Sequence, residues 1–317
     1  MELNKFISDH PVILAPMSGV TDFPFRSLVR SLGAGLLVSE MIASRAMIIQ
    51  TKNSLQKSHI QDNTAIQLAG CDPLIMAEAA KLNEDMGAQI IDINFGCPVK
   101  KIVNSYAGSA LMKDEITATK ILESVVKAVK IPVTLKMRIG WDSNNINSPK
   151  LAKIAEESGI KMITIHGRTR AQMFDGKADW KFISNIKKCV KIPVIVNGDI
   201  KTLDDIKTAL KESQADGIMI GRGAYGKPWI INQALQFIKL GTILPDPTAS
   251  EKLQIIINHY DNIIEYYGQD AGVKISKKHI GWYSACLENS AEFRAKVNCS
   301  NNYQFIRDTI LDFFSKN

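Results

Sequence analysis

The chain has 317 residues, of which 45% are hydrophobic and 22% are charged, close to the composition of ordinary globular proteins. No apolar run approaches the roughly 18 residues that a membrane-spanning helix needs, and the first ten residues lack the apolar core of a signal peptide. These features exclude disordered, coiled-coil and membrane classes, and we expect a soluble, cytoplasmic protein. The net charge of +7 fits a nucleic-acid partner, although an abundance of lysine would explain it equally well.

The chain contains 5 cysteines, which are widely spaced and include no CxxC pair. An odd, scattered set of this kind disfavours a disulfide framework, and the absence of nearby histidines at zinc-finger spacing disfavours a structural zinc site. The sequence therefore predicts no metal site.

Eight short runs rich in apolar and β-branched residues recur along roughly the first two thirds of the chain, and each ends in a polar or glycine-containing turn. They span residues 12–15, 36–39, 65–69, 90–94, 132–137, 162–166, 193–197 and 217–220. Continuous apolar runs of this length are typical of strands buried on both faces of a parallel sheet.

Segments with helical periodicity and recognisable end signals lie between these runs. Pro73 begins a helix that ends near Gly87, Ser148 precedes a proline as an N-cap would, and Thr202 with Asp205 resembles a capping box. The sequence thus predicts strand and helix in alternation, eight times over.

Eight parallel strands with crossover helices close most economically as a (β/α)8 TIM barrel. The segment Lys-Ile-Pro-Val occurs at 130–133 and again at 191–194, which suggests two βα units built to one plan. An open, doubly wound sheet is the alternative architecture.

The pattern changes to helical periodicity without strands towards the end of the chain. A segment with one glycine and two prolines separates the two regions. We therefore predict a catalytic barrel over 1–240, a linker over 241–249 and a small all-helical domain over 250–317.

Polar residues follow the predicted strands at one end only. They are Gln67, Asn94 and Cys97, Lys136 and Arg138, His166 and Arg168, Asn197 and Asp199, and Arg222, while the first strand leads into Pro16 and Met17 and the last into Gly221. In a barrel these positions meet at the C-terminal mouth, where barrel enzymes hold their sites. Glycines after the last two strands, Gly198 and Gly221, predict a phosphate site there.

Several of these residues also have a structural explanation. Cys97 could be a small buried hydrophobe, His166 a hydrogen-bonded core histidine, and Asn197 or Asp199 a helix cap. Lys136 is different, because a lysine inside an apolar strand needs a partner, and this favours a functional role. The spacing GxGxxG at 221–226 does not indicate a Rossmann fold, since no further strands follow it.

Several motifs together resemble the bacterial tRNA-dihydrouridine synthases, most of all the B-type subfamily. These motifs lie at residues 14–22, 94–98, 136–138, 166–170, 178–180, 197–199 and 220–222, with Lys278-His279 and Trp282-Tyr283 in the tail. The resemblance implies an enzyme that uses FMN and NADPH, with NADH as an alternative reductant, to reduce the C5=C6 bond of specific uridines in tRNA. Hydride from flavin N5 would reach C6, and Cys97 would donate the proton to C5.

The resemblance also implies roles for individual residues. The flavin would be lined by Ala15, Pro16, Met17, Gln67, Lys136, His166, Asn197, Gly198, Asp199, Gly221 and Arg222. The tRNA would be held by Asn94, Lys100, Arg138, Arg168, Arg170, Lys274 and Lys278. A helical tRNA-binding tail is implied, while no obligate protein partner is predicted.

Two other functions are consistent with parts of the pattern. One is a flavin barrel acting on a free pyrimidine, similar to dihydroorotate or dihydropyrimidine dehydrogenases. The other is an RNA-binding or folding helper that has lost catalysis. The basic loops and helical tail disfavour the first, and the combination of Cys97, Lys136 and the phosphate glycines disfavours the second.

Overall fold

The strands of the chain form one closed, parallel barrel. A computed structural model describes residues 3–60 and 63–317. The strands in the described residues are β1 (Val12–Leu14), β2 (Leu36–Val38), β3 (Ile42–Ala43), β4 (Thr64–Ala69), β5 (Ile90–Phe95), β6 (Val133–Arg138), β7 (Ile163–His166), β8 (Val194–Asn197) and β9 (Gly217–Ile220).

Eight of these described strands close the barrel, and β3 is a two-residue addition beside β4. Each of β4 to β8 pairs with the strand that follows it in the chain, β9 pairs with β1, β1 with β2, and β2 with β4. The predicted (β/α)8 barrel is confirmed. The open doubly wound sheet is wrong, because the pairing of β2 with β4 leaves the barrel strands no open edge.

Helices precede, connect and follow the barrel strands. They are α1 (Leu3–Asp9), α2 (Phe23–Ser31), α3 (Ser44–Ile48), α4 (Lys52–Lys57), α5 (Pro73–Asp85), α6 (Lys100–Val103), α7 (Glu115–Ala128), α8 (Ser148–Glu157), α9 (Trp180–Lys187), α10 (Leu203–Ser213) and α11 (Ile230–Leu240), with 3₁₀ helices at Gly108–Lys113 and Arg222–Ala224.

The predicted capping box of Thr202 and Asp205 is confirmed at the start of α10. The predicted N-cap at Ser148 is wrong by one residue, because Ser148 is already helical and Asn147 precedes it. Asn147 makes no side-chain cap, since its amide donates instead to Met112 O and to Glu115 Oε1, each at 2.9 Å.

The repeated Lys-Ile-Pro-Val segment corresponds to a repeated hydrogen-bond motif. Glu84 of α5 accepts the N–H groups of residues 130 and 131 at 2.7 and 3.2 Å. Glu156 of α8 accepts those of residues 191 and 192 at 2.7 and 3.0 Å. In both units a glutamate on one helix binds the backbone N–H groups just ahead of a later strand, which is β6 for Glu84 and β8 for Glu156.

One apolar cluster in the barrel unit includes α1 as well as strand residues. Leu3 and Ile7 of α1 join side chains that include Ile13, Ile90 and Met219, from β1, β5 and β9. All five residues are at most 4% exposed. Burial of such side chains is the dominant favourable term in folding.

The chain forms two compact units. The first holds residues up to Phe23 and Ala34–Arg222, and the second holds Pro24–Gly33 and Gly223–Asn317. The second unit also contains α12 (Ala249–Tyr267), α13 (Gln269–Tyr283), α14 (Ser290–Cys299) and α15 (Tyr303–Phe314). These four helices confirm the predicted helical tail, while the predicted linker remains a prediction.

Most of α2 belongs to the helical unit, although α2 follows β1 in the chain. Phe25 of α2 lies 5.5 Å, between ring centroids, from both His259 and His279. Tyr260 and Val273 lie in the apolar core of α12–α15. In the described part of the chain, no helix combines the length and the apolar character that crossing a membrane requires.

Candidate active site

The polar strand-end residues of the barrel face its interior. Lys136 Nζ on β6 donates to Asn197 Oδ1 on β8 at 3.1 Å. Because β7 lies between β6 and β8 in the sheet, this bond requires both side chains to point inwards. Asn197 is also anchored to β9, since its Nδ2 donates to Met219 O at 2.8 Å.

Burial controls the ionisation of the basic groups at this end of the barrel. Desolvation lowers the pKa of Lys136 to about 8, with a smaller contribution in the same direction from Arg138, against the attraction of Asp92 and Cys97. Burial, together with the surrounding cations, also holds the pKa of His166 well below its ordinary value. His166 is therefore neutral at physiological pH, and Lys136 carries most of its charge.

Cys97 lies on a turn in which its backbone N–H and its carbonyl are both hydrogen-bonded. Asn94 Oδ1 accepts the N–H groups of Gly96 and Cys97 at 3.0 and 2.9 Å. Cys97 O accepts from the N–H and the hydroxyl of Ser109 at 3.1 and 2.8 Å. The thiol is thus presented from a fixed backbone immediately after β5, and it is partly exposed.

Gly108 makes the hydrogen bonds from Ser109 to the Cys97 carbonyl possible. Its φ is +62°, and a Cβ at this position would lie 2.9 Å from Cys97 O. Any larger residue would meet both the strain of left-handed backbone and a steric clash with the turn. Glycine at 108 therefore lets Ser109 approach the Cys97 carbonyl.

Two buried arginines hold the loop that follows β7. Arg138 Nη1 donates to the carbonyls of Thr169 and Met173 at 2.8 and 2.9 Å. Arg168 Nη2 donates to Gly176 O at 2.6 Å. Because a guanidinium group carries five N–H donors on three nitrogens, each arginine can bind several carbonyls at once, and these bonds fix the loop.

Asp199 pairs with Arg168 through two parallel hydrogen bonds of 3.0 and 2.6 Å. Partial burial acts to raise the pKa of Asp199, but the bonds from Arg168 and from the N–H of Ala178 outweigh it and leave that pKa lowered. Bidentate pairs of this kind are among the stronger hydrogen-bonded contacts in proteins. Asp199 is an anchor for the loop, and it does not act as the N-cap of α10, a position held by Thr202.

The glycines after β8 and β9 let side chains of neighbouring strands lie close to the backbone. At Gly198, where φ is +114°, a Cβ would lie 2.8 Å from His166 Cδ2. At Gly221 a Cβ would lie 3.5 Å from both Ala15 Cβ and Met17 Sδ. The predicted cofactor residues of β1, β7, β8 and β9 are thus neighbours in space.

These residues fit the flavin mononucleotide that the family resemblance implies. The buried ammonium of Lys136 suits a ring edge that gains negative charge on reduction. Arg222 pairs with Asp199 only at 3.5 Å, and 45% of its side chain is exposed, so most of its donors remain accessible to a phosphate. In the described residues, no group of three or more His, Cys, Asp or Glu side chains could hold a metal ion.

The predicted tRNA contacts occupy several environments. Asn94, Arg138 and Arg168 are buried at the barrel mouth, whereas Lys100 on α6 is exposed. Arg170 is half-buried and its guanidinium lies 4.6 Å from the centre of the Trp141 ring. Two further predicted contacts belong to the helical unit, on α13: Lys274 is exposed and Lys278 is half-buried.

Sequence reasoning missed three residues of this site. Asp92 and Thr134 lie opposite each other on β5 and β6 and are bonded at 2.6 Å. Phe174 lies with its ring 4.9 Å from Arg222 and 5.6 Å from Arg138. Asp92 gave the same signal as Lys136, a charged residue inside an apolar strand, whereas Phe174 gave none because its neighbours are distant in sequence.

Comparison with a protein-family model decides the family. The model described as dihydrouridine synthase matches residues 13–314 of the chain. The chain belongs to the dihydrouridine synthase family. The resemblance predicted from the sequence is therefore confirmed, and the chain is a member of an enzyme family.

Individual relatives agree with this assignment. The probable tRNA-dihydrouridine synthase of Rickettsia bellii (strain RML369-C) is 59% identical over 308 residues, which cover 96% of this chain and 94% of that protein. The tRNA-dihydrouridine synthase B of Pseudomonas syringae pv. tomato is 46% identical over 319 residues, covering 100% and 95%. The corresponding B protein of Xanthomonas axonopodis pv. citri is 46% identical over 301 residues, covering 94% and 91%.

Two solved structures share the fold at low sequence identity. Histamine dehydrogenase from Rhizobium sp. 4-9 aligns with a TM-score of 0.53 and 13% identity, over 80% of this chain and 49% of that chain. Morphinone reductase in complex with tetrahydroNAD aligns with a TM-score of 0.50 and 14% identity, over 76% and 90%. At these identities the likeness shows the fold alone.

Proposed function

We propose that this chain reduces the C5=C6 bond of specific uridines in tRNA to 5,6-dihydrouridine, with FMN as its cofactor and NADPH as reductant. The observation that carries the proposal is the meeting, inside one barrel end, of the Cys97 turn and the Lys136–Asn197 pair. Membership of the dihydrouridine synthase family supports the substrate class. When bound, FMN would take hydride from NADPH and supply it from N5 to C6 of the uracil.

Cys97 is proposed as the proton donor to C5. A thiol carries a proton that it can give to a reacting carbon, so it can act as a general acid. The bonds from Asn94 and Ser109 hold the backbone on both sides of the thiol. The thiol can therefore meet a base that enters from the mouth without the turn having to rearrange.

Lys136 is proposed to stabilise the negative charge that accumulates on the N1/O2 edge of the reduced flavin. Its bond to Asn197 fixes the direction of the ammonium group. His166, held neutral by burial, adds no second positive charge beside it. Gln67, Asp199 and Arg222 are proposed to line the flavin and its phosphate.

The target uridine has to leave its stack, because Cys97 lies at the end of a barrel strand that a base within a helix cannot reach. Exposed Lys100 and half-buried Arg170 are proposed to contact phosphates next to the extruded base, and Lys274 and Lys278 to contact tRNA elsewhere. Contacts of this kind make binding depend on salt concentration.

The test combines the purified protein, NADPH and unmodified tRNA, and maps dihydrouridine by position. We expect a yellow protein that reduces particular uridines and a Cys97→Ala variant that reduces them far more slowly. Cys189→Ala is the matched control, because Cys189 lies beyond α9 and its thiol contacts Asn185 O at 3.1 Å, outside the site.

Three results would overturn the proposal. A protein that cannot be loaded with FMN would point to an RNA-binding helper. If the protein used free uracil or dihydroorotate as well as it uses tRNA, it would be a pyrimidine dehydrogenase. Unchanged reduction of the same uridines by Cys97→Ala would remove the proton-donor role.

A further inference from the structure

A line of hydrogen bonds joins the Cys97 turn to a carboxyl group buried deeper in the barrel. Cys97 N–H donates to Asn94 Oδ1 at 2.9 Å, and Asn94 Nδ2 donates to Gln67 Oε1 at 2.8 Å. Gln67 Nε2 then donates to Asp92 Oδ2 at 2.7 Å. The line crosses two strands, since Gln67 on β4 lies directly opposite Asp92 on β5.

The chemistry of the two ends fixes the direction of every bond in between. The N–H groups of Gly96 and Cys97 can only donate, so Asn94 must turn its oxygen towards them. Asn94 then offers its nitrogen to Gln67, which must accept with its own oxygen. Gln67 is left with its nitrogen pointing at residue 92, and the line can end only on an acceptor.

Asp92 supplies that acceptor where water cannot replace it. Gln67 is 0% exposed and Asp92 is 2% exposed. The second oxygen of Asp92 accepts from Thr134 Oγ1 at 2.6 Å. Burial raises the pKa of Asp92, opposed by the bonds from Thr134 and Gln67 and by the charge of Lys136.

Loss of the acceptor would disturb both amides at once. A buried N–H group without a hydrogen-bond partner destabilises the folded protein, because it has lost its bonds to water and gained none in return. If Gln67 instead reversed its amide, its nitrogen would face the nitrogen of Asn94 across a distance of 2.8 Å. Either response would loosen Asn94, which holds the backbone of residues 96 and 97.

We propose that Asp92 is a positioning residue: it sets the amide orientations of Gln67 and Asn94 and thereby holds the Cys97 turn in place for proton transfer. The inference rests on the proposed function, in which Cys97 protonates the uracil. It also defines what Asn94 presents to a base. Its oxygen already accepts two N–H groups, so Asn94 has an N–H to offer and is matched to a uracil carbonyl, whereas the amino group of cytosine would meet another donor.

The test compares Asp92→Ala, which removes the acceptor, with Asp92→Asn, which keeps one. In Asp92→Asn the new amide oxygen can face Gln67 while its nitrogen faces Thr134, whose hydroxyl can then donate to Ile91 O, 3.5 Å away. Thr164→Val is the matched control, because Thr164 is also buried in a barrel strand but its Oγ1 has no hydrogen-bond partner among the described residues.

Two readouts are measured on the full-length protein. The first is the single-turnover rate of uridine reduction in tRNA, which we expect Asp92→Ala to lower on the order of 10- to 100-fold, the usual effect of a misplaced reacting group. The second is the hydrogen exchange of the Gly96 and Cys97 amides without tRNA, which we expect Asp92→Ala to accelerate while the amides of β8 keep their protection. Asp92→Asn and Thr164→Val should stay close to the unaltered protein in both.

The outcomes separate this inference from the proposed function. If Asp92→Ala keeps both the rate and the amide protection, the inference is wrong even though the enzyme is active. If the unaltered protein reduces no uridine, the proposed function fails, and the exchange data still decide whether Asp92 holds the turn. Should Asp92→Ala fail to fold, Gln67→Met breaks the line one residue further along, and unchanged exchange at residues 96 and 97 in that variant would overturn the inference.

Discussion

Lys136 and Asn197 meet across the inside of the barrel, with Nζ and Oδ1 3.1 Å apart and one strand of the sheet between the strands that carry them. A lysine can be retained in such a position only with a partner. The amide of Asn197 provides a partner without a compensating negative charge. Lys136 therefore remains a cation whose charge is available to a bound molecule.

The first prediction concerns the pH dependence of cofactor reduction. Since burial lowers the pKa of Lys136 to about 8, the ammonium loses its proton as the pH rises through that value. We expect the rate of FMN reduction by NADPH, measured without tRNA by flavin absorbance, to fall over the same interval. Lys136→Met should give a slow reaction that does not change through this pH range.

Cys97→Ala serves as the control for this experiment. It removes the thiol, which is not needed for the reduction of the cofactor itself, and should keep the alkaline decline. An unchanged midpoint in Lys136→Met would show that another group is responsible for the titration.

The second prediction uses two glycines with similar backbones and different surroundings. Gly108 has φ +62° and lies against Cys97 O, whereas Gly241 has φ +66° and has nothing within 4 Å of the position of a Cβ. Alanine in left-handed conformation costs roughly 1–2 kcal/mol at either position. We expect both alanine variants to lower the free energy of unfolding, and only Gly108→Ala to slow uridine reduction as well.

Chemical denaturation and single-turnover assays on the two variants provide the comparison. If Gly241→Ala slows uridine reduction as much as Gly108→Ala does, general destabilisation is the cause, and the contact with the Cys97 turn is irrelevant.

The third prediction concerns the stability of the helical unit in acid. Burial lowers the pKa of His259 from 6.5 to about 3, so below pH 6.5 the unfolded chain binds a proton that the folded unit does not. The free energy of unfolding must therefore decrease as the pH falls from 6.5 towards 3. Between pH 7 and pH 5 this single histidine contributes a loss of about 2 kcal/mol.

His259→Gln removes the titrating ring and can still bond the hydroxyl of Tyr283, which lies 3.0 Å from His259 Nδ1. We expect this variant to lose about 2 kcal/mol less than the unaltered protein between the two pH values, as measured by urea denaturation followed through helical circular dichroism. Equal losses in both proteins would mean that His259 is not the group that takes up the proton.

The barrel could be predicted from sequence because its eight strands are short, mostly apolar runs, and the site because polar residues lie in or after those runs at one end. Lys136 shows the logic at its clearest, since a charge inside an apolar strand calls for a functional explanation. Asp92 carries the same signal one strand earlier. Its role could not be predicted, because it depends on the strand register that places Asp92 opposite Gln67 and Thr134. That register is set only when the sheet closes.

Other features depend on contacts that no local pattern contains. Most of α2 belongs to the helical unit because Phe25 contacts His259 and His279, residues more than two hundred positions away. Arg168 was predicted to contact tRNA because of the family resemblance. In the structure its guanidinium is paired with Asp199. Arg168 could therefore contact RNA only while it also binds Asp199.

The bond between Lys136 and Asn197 also crosses the barrel below its mouth and limits the depth of the site. Beneath it, the buried side chains of Asp92 and Thr134 are hydrogen-bonded to each other at 2.6 Å, and Ile90 and Ile195 belong to the buried apolar core of the barrel. We therefore expect a bound flavin and base to occupy the space between Lys136 and the mouth. Replacing Lys136 by a shorter side chain would open space towards Asp92 as well as remove a charge.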